Sequence, residues 1–228
     1  MKKSDIQGFD ISSKSAAVIG CGGLGCNIAV HLAGAGIGKL TLVDFDSVSE
    51  SNLNRQFLYT AGDIGKPKAE LAAVKLIKYS PNTKITFINR KINNTEDLDE
   101  MNNCDIVFLA VDNNKTRKIL QNFCTGNRLP LVNGGINGFY GTAYLYVPER
   151  TPCLACAGLM EKETKSILSV SSTAGIIGAL EVEIGIKYLL NENTDVAGTL
   201  HIYDNGEINK LKIKPQKNCG ICGVNKNV

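Results

Sequence analysis

Ala16-Ala17-Val18-Ile19-Gly20-Cys21-Gly22-Gly23-Leu24-Gly25 places a short apolar run directly before a glycine-rich turn, and a helix-compatible segment of about Gly25 to Ala35 follows it. Apolar run, glycine turn and helix form the opening of a βα unit. Gly20, Gly22 and Gly25 make a GxGxxG pattern, with Gly23 inside it. Positions without a β-carbon permit the tight turn and let backbone N–H groups approach phosphates at a helix N-terminus. Lys39 to Val43 then reads as a second strand, and it ends on Asp44, where a carboxylate accepts hydrogen bonds from ribose hydroxyls. The same residues would also serve as a glycine turn without a ligand. Strand, helix and acidic residue in their expected places favour the nucleotide reading.

Outward from this unit the alternation continues. Pro67 to Ile77 has helical spacing at Leu71, Val74 and Ile77, and Ile85 to Ile88 reads as a third strand. Ile106 to Val111 is apolar throughout, as a parallel strand buried on both faces would be. A helix from about Lys115 to Cys124 and a short strand at Leu131 to Asn133 follow. Repeated alternation predicts an α/β fold: a Rossmann-like, doubly wound, mainly parallel sheet with ligands beyond the carboxyl ends of its strands. After Gly141 the pattern changes to strands at Thr142 to Val147, Thr199 to Tyr203 and Ile208 to Ile213, interrupted by one long helix, so antiparallel strands should continue the sheet. No Pro/Gly/Ser linker divides the chain. Residues 1–228 are read as a single unit, with a nucleotide-binding part over about 15–135 and a mixed-sheet, crossover and knuckle part over about 136–228.

Three further clusters can carry chemistry. Ser51-Asn52-Leu53-Asn54-Arg55-Gln56 and Lys66-Pro67-Lys68 bring Arg55 and Lys68 toward the site, where cations stabilise charge on a phosphate under attack; the alternative is a solvated loop with surface lysines. Asp112 closes the apolar strand and precedes Asn113-Asn114, which places a carboxylate at the ligand edge. There it can hold Mg²⁺ against ATP phosphates, or it can serve as an ordinary helix N-cap. Cys153-x-x-Cys156 and Cys219-x-x-Cys222 are two knuckles whose four thiolates would complete a closed tetrahedral Zn²⁺ site. One redox C-x-x-C beside an incidental pair is the competing reading.

The remaining cysteines, Cys21, Cys26, Cys104 and Cys124, read as small buried hydrophobes. His31 and His201 are too isolated for a triad and are read as structural. Phe139, Tyr140, Tyr144 and Tyr146 are assigned to sheet packing. The net charge of +3 and the lack of a basic run give no support for nucleic acid or an anionic membrane. Met1 to Lys14 lacks an apolar signal-peptide stretch, and the apolar segment Thr173 to Leu190 is interrupted by Glu181, Glu183 and Lys187. A cytoplasmic protein without membrane anchor is therefore expected, in which eight cysteines serve metal or redox chemistry rather than disulfides.

Taken together, IGCGGLG, LVDFDSVSESNLNRQF, IGKPKAE, the VDN of Val111 to Asn113, PCLAC, IIGALEVEIGIKYL and CGIC resemble the MoeB/ThiF/HesA adenylyltransferases, relatives of the ubiquitin-activating enzymes. The resemblance runs from about Ser15 to Gly223. It implies that Asp44 binds the ATP ribose; that Asn52, Asn54, Arg55 and Lys68 surround the triphosphate; and that Asp112, with Asn113 beside it, engages Mg²⁺ and is essential for adenylation. It implies a zinc ion on Cys153, Cys156, Cys219 and Cys222. The implied reaction joins AMP to the C-terminal glycine carboxylate of a small ubiquitin-like β-grasp carrier ending in Gly-Gly, with release of pyrophosphate, by a homodimer acting in sulfur transfer for thiamine, molybdopterin or a related pathway.

Two elements depart from that pattern. The family's arginine in an RYxRQ-like element ahead of the glycine loop has no counterpart, since Met1 to Lys14 contains no arginine. The cysteine many members carry in the crossover loop is missing from Ala157 to Ser172, where serines and Thr164 stand instead. Competing functional readings are adenylation of a peptide terminus or RNA base and a noncatalytic nucleotide- or carrier-binding partner. An NAD-dependent dehydrogenase is disfavoured because neither His31 nor His201 lies where a catalytic acid would be expected.

Overall fold

The computed structural model describes residues 9–160, 169–191, 195–217 and 219–222. Parts of Met1–Lys14 and of the crossover segment, including Thr164, and the outer ends of the 1–228 unit lie outside these residues.

The strands in chain order are β1 (Ser15–Ile19), β2 (Lys39–Val43), β3 (Lys84–Ile88), β4 (Ile106–Leu109), β5 (Leu131–Asn137), β6 (Tyr140–Tyr146), β7 (Thr199–Asp204) and β8 (Glu207–Lys212). The helices are α1 (Gly23–Gly34), α2 (Lys68–Tyr79), α3 (Asn114–Gly126) and α4 (Ser171–Leu189). All eight strands form one sheet in the order β3-β2-β1-β4-β5-β6-β7-β8. Pairings from β3 to β5 are parallel and those from β5 to β8 are antiparallel, as the change of pattern after Gly141 predicts. The chain moves outward from β1 to β3 and then returns to place β4 beside β1. That reversal is the point at which doubly wound sheets open a ligand crevice.

Alternating strand side chains build two cores. Val18, Leu40, Leu42, Phe108, Val132 and Leu145 pack under α1, α2 and α4. Ile19, Val43, Leu109, Leu131, Tyr144 and Tyr146 pack on the other face with Leu120 and Phe123 of α3 and with Cys153 and Leu154 of the first knuckle. Cys21, Cys26, Cys104 and Cys124 are buried free thiols, as expected. No helix among the described residues is long and apolar enough to cross a membrane.

Several sequence expectations change in detail. In α2 the buried face is Ala69, Ala72, Ala73 and Leu76, whereas Val74 and Ile77 are exposed, because small alanines let the helix lie close to its neighbours while the larger residues point outward. Tyr144 and Tyr146 are fully buried, but Phe139 and Tyr140, at the β5–β6 turn, are exposed. His201 is buried on β7, as a structural histidine should be; His31 is exposed on α1. Glu181, one of the charges that interrupt the apolar segment Thr173 to Leu190, is 0% exposed.

Candidate active site and a four-cysteine cluster

A cleft of about 660 Å³ opens at the carboxyl ends of β1, β4 and β5, the position expected for a doubly wound sheet. Its floor is the turn between β1 and α1. Gly20 has φ +96°, and a β-carbon there would fall 2.5 Å from the Ala110 carbonyl oxygen at the end of β4. A β-carbon on Gly25 would fall 1.8 Å from the Gly20 carbonyl oxygen, so the first turn of α1 presses against the loop itself. Gly20, Gly22 and Gly23 line the cleft, while Gly25 sits behind them as a packing glycine.

Asp44, at the end of β2, is held by two backbone donors: the Cys21 N–H at 2.6 Å and the Asp46 N–H at 2.8 Å. Burial raises the carboxyl above its ordinary value, and the Asp46 and Cys21 amides and the charge of Lys68 oppose that shift. The Tyr59 hydroxyl lies 2.9 Å from the Cys21 carbonyl and 3.2 Å from that of Lys68, which ties the glycine loop to the start of α2. Lys68 is buried, and its ammonium reaches the cleft beside Asp46 at 3.4 Å. Arg55 is fixed by its own loop, its Nη1 donating to Ser51 O and to Asn54 Oδ1 at 2.9 Å each.

Asn52, Arg55 and Lys68 therefore meet Asp44 in one cleft. Asn54 does not: it is exposed outside the lining and serves as an acceptor that orients Arg55. On the opposite lip, Asn113 is the N-cap of α3, its side chain accepting from the Thr116 N–H at 2.9 Å. The capping role open to Asp112 is thus taken by its neighbour. Both residues line the cleft, and the Asp112 carboxylate is exposed there.

The structure adds residues that sequence reading overlooked. Gln56 lines the cleft although its side chain is 3% exposed, and its Oε1 has no hydrogen-bond partner among the described residues. Arg117 donates through Nη2 to Val111 O at 3.0 Å and through Nη1 to Asn133 Oδ1. Gln56 stands within the quoted LNRQF element, which was a usable signal. Arg117 and Asn133 are polar residues on separate elements, and only the pairing of β4 with β5 brings them together.

The two knuckles converge. Sγ–Sγ separations are 3.9 Å for Cys153–Cys156, 3.6 Å for Cys153–Cys219 and 3.8 Å for Cys156–Cys222, and all four sulfurs lie within 4.8 Å of one another. Four thiolates at about 2.3 Å around a tetrahedral zinc stand about 3.8 Å apart, so this donor set fits Zn²⁺. Burial pushes the thiols of Cys153 and Cys156 up. At Cys219 burial acts the same way, but the amides of Cys222 and Ile221 and the thiols of Cys156 and Cys153 outweigh it and bring that thiol down to about 6. Around the cluster, Tyr144 donates to Pro152 O at 2.6 Å and the Leu154 N–H to Gln121 Oε1 at 2.9 Å.

The chain is similar in sequence to several adenylyltransferases. The molybdopterin-synthase adenylyltransferase of Salmonella typhimurium is 32% identical to this chain over 232 residues, covering 96% of this chain and 93% of that protein. The SAMP-activating enzyme E1 of Haloferax volcanii is 31% identical, covering 95% of this chain and 83% of that protein. The adenylyltransferase and sulfurtransferase MOCS3 of Drosophila virilis is 32% identical, but the chain spans only 50% of its length. Among solved structures, E. coli MccB with ATP superposes with a TM-score of 0.84 at 24% identity, covering 93% of this chain and 67% of that one, which supports the fold. The sequence pattern of the ThiF family matches residues 7–223, so the chain belongs to the ThiF family.

Proposed function

We propose that this chain is an ATP-dependent adenylyltransferase that joins AMP to the C-terminal glycine carboxylate of a small ubiquitin-like carrier protein. The reading rests above all on one observation: Asp44, Arg55, Lys68 and Asp112 face a single cleft at the glycine turn, although they come from four separate segments. In the proposed reaction a carboxylate oxygen of the carrier attacks the α-phosphorus of ATP. A P–O bond forms, the bond to the β-phosphate oxygen breaks, and pyrophosphate leaves. Asp44 orients the ribose, and the α1 N-terminus with Arg55 and Lys68 holds the charge that grows on the phosphates. Lys68 suits this role because its ammonium is buried beside Asp46 and so aimed before substrate arrives. Asp112, exposed on the lip and free of the helix cap, is the residue that would hold Mg²⁺, which neutralises phosphate charge when bound.

The pathway reading, sulfur transfer for thiamine, molybdopterin or related cofactors by a homodimer, draws on the relatives' names and on the family resemblance. The crossover stretch Ala157 to Ser172 contains no thiol, so an external sulfur donor would have to attack the acyl-adenylate directly. Pyrophosphate exchange tests the proposal. Labelled pyrophosphate should enter ATP only when Mg²⁺ and a Gly-Gly-terminated carrier are present, and Asp112→Ala should lower the rate at least about 100-fold without unfolding the protein. Wild-type-like exchange in that variant, or none from the native protein with any candidate carrier, would rule the assignment out.

A further inference from the structure

Arg117 sits in the first turn of α3, where the helix dipole disfavours a cation. It is also half-buried, and burial lowers its basicity. Neither fact gives α3 a reason to carry an arginine there. What the guanidinium gains is a pair of acceptors on two adjacent strand ends: the Val111 carbonyl just beyond β4, at 3.0 Å, and the Asn133 side chain on β5. Val111 O belongs to the peptide unit that leads into Asp112. Fixing that carbonyl fixes the peptide plane from which the Asp112 carboxylate projects.

Behind the brace lies Glu181 of α4, completely buried, with neither carboxyl oxygen hydrogen-bonded among the described residues. It packs so tightly on β5 that a β-carbon on Gly134 would fall 2.2 Å from its Oε2. Burial favours its neutral form and the charge of Arg117 opposes that preference. The brace is therefore backed by a closely packed, buried carboxyl group.

We propose that Arg117 is a positioning residue for the Asp112 carboxylate: by gripping Val111 O and Asn133 together, it sets the place where that carboxylate meets a divalent cation. The inference rests on the metal role assigned to Asp112 above. A double-mutant cycle separates it from a purely structural role, with Mn²⁺ as the metal probe. Free Mn²⁺ is titrated by electron paramagnetic resonance in the presence of ATP, for the native chain, Arg117→Lys, Asp112→Asn and the double variant. Lysine keeps the charge but cannot grip two acceptors in one plane.

Arg117→Lys should weaken Mn²⁺ binding about tenfold, the usual cost of losing an outer partner of a metal ligand, and should cost less than about twofold once Asp112 is asparagine. An equal loss in both backgrounds, or no loss, would overturn the positioning role while leaving the proposed function standing. A native chain that binds no Mn²⁺ with ATP would overturn both. Should Arg117→Lys melt below the assay temperature, Asn133→Ala, which frees one end of the guanidinium, is taken through the same cycle under the same criteria.

Discussion

Gly22 and Gly25 differ in what a side chain would meet, and the difference separates folding from binding. At Gly25 a methyl group would collide with the Gly20 carbonyl at 1.8 Å, so Gly25→Ala should cost about 1–3 kcal/mol of stability, read from a denaturant midpoint. At Gly22 the nearest atom would be Gln56 Nε2 at 3.7 Å, an ordinary contact inside the cleft. Gly22→Ala should cost no more than about 1 kcal/mol, for the loss of the glycine N-cap of α1, and lose nucleotide affinity as its main effect, measured by calorimetric titration with ATP. Equal losses of stability in the two variants would contradict this division. At this scale the sequence was most readable where a residue ends a strand: Asp44 and Asp112 follow apolar runs, and both face the cleft. Arg117 and Glu181 are not readable in the same way. A buried polar residue is recognised by what surrounds it, and its surroundings come from distant parts of the chain.

The loop that carries Asn52 and Arg55 is strapped to α2. Lys75 of α2 donates to Leu58 O at 2.6 Å and pairs with Asp63, whose carboxylate also accepts from the Thr60 N–H and hydroxyl at 2.9 Å each. The bond from Lys75, followed by those from Thr60, holds the Asp63 carboxyl well below its ordinary range. A depressed carboxyl adds stability above the unfolded value of about 3.9 and loses it as pH falls toward the folded value. Asp63→Asn should therefore be less stable than the native protein at pH 7, and urea midpoints of the two should converge below about pH 4. A constant gap across that range would show that the ion pair is not the cause. The spacing of Leu71, Val74 and Ile77 identifies α2 as a helix, but of the three only Leu71 packs against the core, because hydropathy ranks alanine below valine and isoleucine while close packing favours alanine.

In the molecule as a whole, the cysteine cluster joins two segments 66 residues apart and extends the core beneath Tyr144 and Tyr146. The protein should carry about one zinc per chain, held by Cys153, Cys156, Cys219 and Cys222. Cys156→Ser should release the metal and lower Tm by at least about 4 °C, equivalent to roughly 1–2 kcal/mol at this chain length. Zinc-free protein purified without chelator, or an unchanged Tm on metal loss, would refute the assignment. The order of elements was legible throughout because hydrophobic periodicity is a local signal. The meeting of the knuckles could be read only as a pairing of spacings, since their approach depends on the antiparallel half of the sheet.

The adjacency of β1 and β4 has a kinetic side. Ala16 pairs with Ile106 across 90 residues of chain, whereas β5 and β6 are joined by a tight turn. Closing so long a loop costs about 4 kcal/mol in its length-dependent entropy alone, before any contact is gained. The β5–β6 hairpin and the β1–β2 unit can form from local contacts, but the seam between β1 and β4 must wait for that closure. The cleft straddles this seam, with the glycine turn on one bank and Asp112 on the other. The candidate site is therefore assembled across the pairing with the largest sequence separation in the sheet, and a chain that had formed only its more local pairings would still lack it.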